Sequence, residues 1–398
     1  MAITDDPATR PVITMQAGRQ KRVAQGHPWA YSNEIVMDSA AKALAPGTLV
    51  TLKAANGETL GVAMFNPHPL VSARLLDRDP GRIIDGEFFA LRLAAALRLR
   101  ERLYDRPFYR LIHAEADGLP GLVVDRFDDV LVCEINTAGI DRLEVEFLAA
   151  CADVLHPRAI VLRNDSASRG IEGLPLGHRV IGEVEGPIAV EENGAQFLAD
   201  PIGGQKTGWF YDQRDNRRAI AALASGARVL DLYCFTGGFA IAAARGGARE
   251  VLAIDRSEPA LALARQAAAN NGVVCQFERA DVFEKLESLA AAKERFDIVI
   301  ADPPAFVKSR KDVGPGLRGY RKLARQAATL VAPGGLLFIA SCSHNVEGES
   351  FAESVRRGLH DAGRTGRILA TSGAAADHPV HPFLPESAYL KAQLLALD

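Results

Sequence analysis

The sequence predicts an α/β protein whose C-terminal half is a doubly wound parallel sheet, preceded by a small β-barrel-like module and a central α+β unit. Three observations predict it. From about residue 195, continuous apolar runs alternate with helical stretches, the pattern of parallel strands covered on both faces. The first 75 residues are instead short alternating runs broken by turn formers. Finally, 398 residues exceed what one core supports, so two or three domains are expected.

In the first module the strand candidates are 12–13, 48–52, 60–65 and 71–75, punctuated by Gly47, Asn56-Gly57 and Asn66-Pro67. Asp79-Pro80-Gly81 closes it, giving a first domain over 1–78. Phe88, Leu91, Leu93, Ala95, Leu97 and Leu99, with arginines between, predict a helix over 87–104. Strands at 121–125, 130–135 and 159–163 around a helix near 141–154 complete a central domain over 79–190, which ends in a Gly/Pro/Glu-rich link. The third domain, 191–398, carries apolar strands at 229–232, 251–255, 296–302 and 336–341. Ser257-Glu258-Pro259 opens a helix that stops at Asn270-Asn271-Gly272. Two further strand candidates, 366–370 and 389–397, lie in the tail.

A formal net charge of −3 excludes a uniformly basic nucleic-acid coat, so any such binding must come from a local patch. The first 110 residues, with 15 Lys and Arg against 11 Asp and Glu, lean slightly basic. No run of about 18 apolar residues is free of charge, and the N-terminus is acidic where a signal peptide would be basic. A cytoplasmic protein with no membrane partner is expected. Cys133, Cys151, Cys234, Cys275 and Cys342 are scattered and form no C-x-x-C pair, so neither a disulfide framework nor a metal site is expected.

In an open parallel sheet, ligands bind beyond the carboxyl ends of the strands. The first strand leads into Asp231-Leu232-Tyr233-Cys234-Phe235-Thr236-Gly237-Gly238, where adjacent glycines let the backbone approach a ligand. No G-x-G-x-x-G is present to cradle a pyrophosphate; an acid six residues before the glycines suits a cationic, amino-acid-like ligand. Asp255 ends the second strand, where an acid commonly takes ribose hydroxyls. Asp281 follows a strand expected over 275–278, and Asp302 follows the next. Any one of these could be a solvated strand-end residue, but four at successive strand ends form a constellation. It resembles the S-adenosylmethionine pocket of class I methyltransferases, a Rossmann-like fold. That likeness implies that the first acid and the glycines hold the methionine moiety, the second acid ribose, and the third the edge of adenine.

Asp302-Pro303-Pro304-Ala305-Phe306 is the most specific short motif, because two prolines stiffen the strand exit and hold the carboxylate and ring by backbone restriction. Methyltransferases acting on amino groups place an aromatic directly after Pro-Pro; Ala305 intervenes here. The next strand ends in Ser341-Cys342-Ser343-His344. Cys133, Cys151 and Cys275 read as inert core thiols. Cys342 differs, because a thiolate at a strand's carboxyl end, beside Asp302, suits a particular chemistry. Its addition to C6 of a pyrimidine makes C5 nucleophilic toward a sulfonium methyl group. Asp302 would hydrogen-bond N3 or the exocyclic amine of cytosine. His344 is near enough in sequence to be a candidate for the base that removes the C5 proton.

With these motifs in place, nearly the whole chain resembles the large-subunit (23S) ribosomal RNA cytosine-C5 methyltransferases that carry an N-terminal PUA domain. The likeness rests on Gly26-His27-Pro28-Trp29 in the first module and Glu115-Ala116-Asp117-Gly118-Leu119-Pro120-Gly121-Leu122 in the central domain. It continues through Lys206-Thr207-Gly208-Trp209-Phe210-Tyr211-Asp212-Gln213-Arg214 and Pro385-Glu386-Ser387-Ala388-Tyr389-Leu390-Lys391. It implies a PUA module for RNA binding, S-adenosyl-L-methionine as cofactor, and large-subunit ribosomal RNA as partner, with a homodimer as an admissible assembly. By the same likeness Gln213, Arg214, Asp231, Phe235, Thr236, Gly237, Gly238, Asp255, Asp281 and Asp302 line the cofactor pocket, and Cys342 is the nucleophile. Many RNA cytosine-C5 enzymes carry a second cysteine in the Asp-Pro-Pro region to release product, and none is present here.

Two basic stretches could contact RNA. Arg92, Arg98, Arg100, Arg102, Arg106 and Arg110, beside Tyr104, Phe108 and Tyr109, either grip phosphates and stack bases or form a solvated helix face. Lys308, Arg310, Lys311, Arg318, Arg321, Lys322 and Arg325 gather just after Asp302 and would steer a polyanion to it. Two other readings stay open: a methyltransferase with another target, such as uridine C5, and a noncatalytic RNA-binding or assembly protein that retains the pocket.

Overall fold

The structure, a computed structural model, describes residues 5–398. Internal contacts divide the chain into two units. The first runs to Gly186 and takes in Asp200–Trp209 and Asp377–Pro385; the second comprises Pro187–Ala199, Phe210–Ala376 and Glu386–Asp398.

The first unit contains two five-stranded sheets. From edge to edge, the N-terminal one runs Val12–Thr14, Thr48–Lys53, Thr59–Phe65, Val71–Asp77 and Trp29–Tyr31. A bridge between Met15 and Ile35, just beyond its two edge strands, draws the sheet round on itself around Val50, Leu52, Ala63 and Phe65. Trp29–Tyr31 escaped the sequence reading because three residues are too few to show a period. The second sheet runs Gly177–Gly182, Ala159–Asn164, Val130–Ile135, Leu122–Phe127 and Phe108–His113, with the helices Gly86–Leu103 and Glu144–Leu155 packed together beside it.

Helix Gly86–Leu103 starts where the Asp85 side chain accepts from the backbone N–H of Phe88. Its buried stripe is Phe88, Phe89, Leu93, Ala96 and Arg100, while the expected apolar positions Leu91 and Leu99 face solvent. The basic stretch needs the same correction. Arg100 is fully buried on Asp117, Arg110 forks onto Asp125 at 2.8 and 2.9 Å, and Arg92 pairs with Asp77. Phe108 and Tyr109 lie in the core. Arg98, Arg102 and Arg106 are the members of the stretch exposed to solvent.

In the second unit a seven-stranded sheet runs Gln276–Arg279, Glu250–Asp255, Arg228–Leu232, Phe296–Ala301, Val331–Ser341, Lys391–Leu397 and Gly366–Ser372. The first five are parallel, and Lys391–Leu397 pairs antiparallel to both its neighbours. Successive residues of one strand feed opposite cores: Leu230 and Leu232 pack on one face of the sheet, Val229 on the other. That double burial is why these strands read as unbroken apolar runs. Gln276–Arg279 begins one residue later than expected. An unexpected hairpin, Ile188–Glu192 with Ala195–Ala199, turns at Asn193-Gly194, both with positive φ, in the stretch expected to be a link. Among the described residues no helix is long and apolar enough to cross a membrane.

Candidate active site at the carboxyl ends of the parallel strands

Leu232, Asp255, Arg279, Ala301 and Ser341 end the five parallel strands, so topology alone brings the loops that follow them to one edge of the sheet. The first of these loops is tightly wound. Tyr233, Phe235 and Gly237 have φ of 64°, 50° and 82°, and Gly237 N–H closes the turn on Cys234 O at 2.8 Å. Two bulky residues in the left-handed region store about 1–3 kcal/mol each, a cost that the surrounding packing must hold in place. A Cβ at Gly237 would lie 3.1–3.3 Å from Ala264, Ile241 and Phe277, so glycine fits here both in conformation and in space. Helix Gly238–Arg245 begins at this point and presents its N-terminal backbone donors.

Asp231 is 1% exposed. Its Oδ2 accepts from Ala240 N–H at 2.9 Å, while its Oδ1 has no hydrogen-bond partner; the equally buried Thr236 Oγ1 has none either. Burial, reinforced by the charges of Asp302 and Asp255, pushes the Asp231 carboxyl well above the usual carboxylate range; Ala240 N–H and Arg217 oppose it. Asp255 ties the second strand to the first loop, taking Ser257 N–H on Oδ1 at 2.8 Å and Phe235 N–H on Oδ2 at 3.0 Å. Asp231 thus senses two further acids, and two buried oxygens, its own Oδ1 and Thr236 Oγ1, are orphaned. A ligand carrying an ammonium and a sulfonium answers both features, so these residues fit S-adenosylmethionine.

The remaining expected pocket residues sit differently. Asp281 is exposed, and its Oδ1 accepts from Phe283 and Glu284 N–H, capping helix Val282–Ala291. Gln213 is buried and accepts from Asn216 Nδ2 at 2.6 Å. The guanidinium of Arg214 lies over the Tyr211 ring, with Nε 3.8 Å from Glu192. Arg217, one helical turn further on, forks onto Glu192 at 2.6 and 2.8 Å and is the arginine whose charge reaches Asp231. Sequence reasoning missed it, because its partner lies in the unforeseen hairpin.

At the reacting end, Asp302 directly follows its strand and is half-buried. The Phe306 ring packs 4.8 Å from Tyr320 and 6.4 Å from Phe283. The loop carrying Asp302 lies against helix Val313–Leu330 at two glycines: a Cβ on Gly316 would fall 2.2 Å from Val307 Cγ2, and one on Gly319 3.0 Å from Phe306 Cδ2. Cys342, also half-buried, follows the strand beside the one that leads into Asp302, with Ala301 registered on Ile339. Ser341 and Ser343, fully buried on either side of it, both bond the Tyr320 hydroxyl at 2.8 Å. Val307 N–H donates to Ser343 Oγ, which joins the two loops. The exposed His344 stacks on Tyr389 at 4.8 Å, and Tyr389 donates to Asp212.

The other thiols are placed differently. Burial pushes Cys133, Cys151 and Cys234 well up and Cys275 up to about 12, so all four stay protonated at neutral pH. Of the second basic stretch, Arg321 is held by Asp361, and Lys322 sits over the Phe283 ring. Lys308, Arg310, Lys311, Arg318 and Arg325 are exposed.

A family model described as S-adenosylmethionine-dependent methyltransferase matches residues 154–366, and one described as a PUA-like domain matches residues 13–78. Ribosomal RNA large subunit methyltransferase I of Aeromonas salmonicida is 38% identical over 388 residues, covering 95% of this chain and 97% of the relative. The protein of the same name from Photobacterium profundum is 37% identical with the same coverage. A solved structure from Streptococcus mutans, a candidate S-adenosylmethionine-dependent methyltransferase, matches with a TM-score of 0.82 at 21% identity. It covers 97% of this chain and 100% of that one, a likeness of fold.

Proposed function

The chain belongs to the ribosomal RNA large subunit methyltransferase I family, with a PUA-like domain ahead of an S-adenosylmethionine-dependent methyltransferase domain, and from that premise we propose that it methylates C5 of a cytosine in large-subunit ribosomal RNA through a Cys342 adduct. The observation that carries this reading is the placement of Cys342 on the strand end next to Asp302, one strand from the Asp231 pocket.

The Cys342 thiolate adds to C6, and the electron pair of the C5–C6 double bond shifts toward C5 and the ring. Asp302, hydrogen-bonded to N3 or the exocyclic amine, holds the base against that attack. The methyl group comes from bound S-adenosylmethionine, with the pair of the breaking carbon–sulfur bond staying on sulfur. A base then takes the C5 proton, the double bond re-forms and the C6–S bond breaks, returning the thiolate. Asp231, Thr236 and the Gly237-Gly238 turn hold the methionine end and Asp255 the ribose; Gln213, Arg214, Phe235 and Asp281 complete the proposed cofactor set. Residues 1–78 bind RNA and 79–190 link them to the catalytic domain 191–398, in a cytoplasmic enzyme.

Cys342→Ala is expected to abolish methyl transfer to large-subunit RNA while the affinity for S-adenosylmethionine, measured by calorimetry, stays within about two-fold. Nucleoside mass spectrometry of RNA from cells with and without the gene is expected to show loss of 5-methylcytosine. Full activity of the variant would overturn the covalent route. Unchanged 5-methylcytosine would overturn the target, and loss of 5-methyluridine in its place would move the chemistry to uridine.

A further inference from the structure

Lys391 opens the strand Lys391–Leu397 and pairs across the ladder with Ser341, the residue before Cys342. Its Nζ donates to Ser343 O at 2.8 Å and to Val346 O at 2.7 Å. One ammonium therefore clasps both ends of the turn that follows Cys342, a turn also closed by Val346 N–H on Ser343 O. The side chain is half-buried, and among the described residues no carboxylate lies within ion-pairing distance of it.

A half-buried ammonium facing two carbonyls and no acid is costly, because carbonyl dipoles replace only part of its hydration. A methionine of similar length would fill the space without that cost. What a positive charge adds here is its field at Cys342. Two titratable groups that sense this sulfur are Tyr320, from helix Val313–Leu330, and Lys391, from the last strand. Asp302 directly follows the neighbouring strand and His344 lies two residues on from Cys342. Tyr320 is neutral, since burial pushes its phenol up, and Asp302 opposes a second negative charge. The Lys391 ammonium acts in the opposite sense to Asp302. Burial lowers the Lys391 pKa and Cys342 acts against that shift, as a sulfur anion close to an ammonium should.

Building on the reading of Cys342 as nucleophile, we infer that Lys391 is a positioning residue that holds the turn after Cys342 in place and stabilises its sulfur as the thiolate. Tyr389-Leu390-Lys391, the end of a motif with no role in the scheme above, thus secures the turn from two sides: Tyr389 stacks on His344, and Lys391 binds the turn's carbonyls.

The full-length protein, alkylated with iodoacetamide from pH 6 to 10 and followed by mass spectrometry of the Cys342 peptide, reports the thiolate without the RNA reaction. In the native protein the midpoint is expected below about 8.5, the value of a free cysteine. Lys391→Met should slow alkylation at pH 7 by about five-fold, and Lys391→Arg, which keeps the charge, should stay within about two-fold of native. A native midpoint at or above that of free cysteine overturns the proposal even if the methionine variant does not fold. Superimposable profiles for native and Met proteins, or an arginine variant as slow as the methionine one, overturn it as well. None of these outcomes touches the nucleophile assignment, which falls only if Cys342→Ala keeps its activity.

Discussion

The Tyr320 hydroxyl lies 2.8 Å from Ser343 Oγ and takes a second bond of the same length from Ser341 Oγ, so one buried phenol fixes the residues on both sides of Cys342. Through Val307 N–H on Ser343 Oγ the same network reaches the loop that carries Asp302. Tyr320→Phe removes the shared oxygen and leaves each buried serine hydroxyl with only a backbone N–H donor, Val307 on Ser343 and Ser343 on Ser341, a loss of about 1–3 kcal/mol of stability. Because the network sets where the sulfur sits and leaves the cofactor loop alone, the expected kinetic result is a kcat about ten-fold lower with little change in KM for RNA. Steady-state methyl transfer beside thermal unfolding checks this, and an unchanged kcat would leave the network a purely structural role.

In the proposed cofactor pocket, Asp231 is expected to make binding depend on pH in a defined direction. In the free protein, burial and the charges of Asp302 and Asp255 raise its pKa. A bound cation stabilises the carboxylate and lowers that pKa, so binding releases a proton between the two values, and affinity rises as pH climbs through the free-state pKa. In the unliganded protein the same shift acts against the fold. Stability attached to this group is intact at low pH and falls as pH rises from the ordinary carboxylate range toward the raised value. Asp231→Asn should therefore weaken S-adenosylmethionine binding about 100-fold, abolish the proton release and raise the thermal stability of the unliganded protein at neutral pH. Calorimetry in buffers of differing ionisation enthalpy counts the proton; equal release by native and Asn proteins would assign it to another group.

The parts of the site that were legible are those that topology assembles. Asp231, Asp255, Asp302 and Cys342 lie at or just beyond the carboxyl ends of parallel strands, and those strands announce themselves because residues such as Val229 and Leu230 are buried on opposite faces. The parts that stayed hidden depend on pairings distant in sequence. Arg217 meets Glu192 across 25 residues, Tyr320 meets Ser341 and Ser343 across 21 and 23, and Lys391 meets Ser343 and Val346 across 48 and 45. Glu192 carries no sequence signal of its role, yet it is buried and holds Arg217. Asp281 shows the converse difficulty: an acid just past a strand has the same sequence whether or not it caps the next helix, and here one carboxylate oxygen, Oδ1, accepts both cap bonds.

Arg100 and Arg102 lie two residues apart on one helix and separate stability from RNA contact. Arg100 is 0% exposed, bonds both oxygens of Asp117 at 2.6 and 2.7 Å and donates to Arg110 O, while Arg102 faces solvent. Arg100→Ala leaves the nearly buried Asp117 carboxylate without its cation, with the His113 N–H still on it, so unfolding free energy should fall by about 3–5 kcal/mol whatever the RNA does. Arg102→Ala removes a charge that no fold contact requires, and stability should hold within about 0.5 kcal/mol. If this face grips phosphates, losing Arg102 weakens RNA binding and lowers the slope of log affinity against log salt by about one. Denaturant unfolding and a salt titration of RNA binding read the two effects separately. An Arg102→Ala protein whose affinity and salt slope match the native ones would mark the outer face of this helix as solvated surface and leave residues 1–78 and the exposed Lys and Arg of the 308–325 stretch as the RNA contacts.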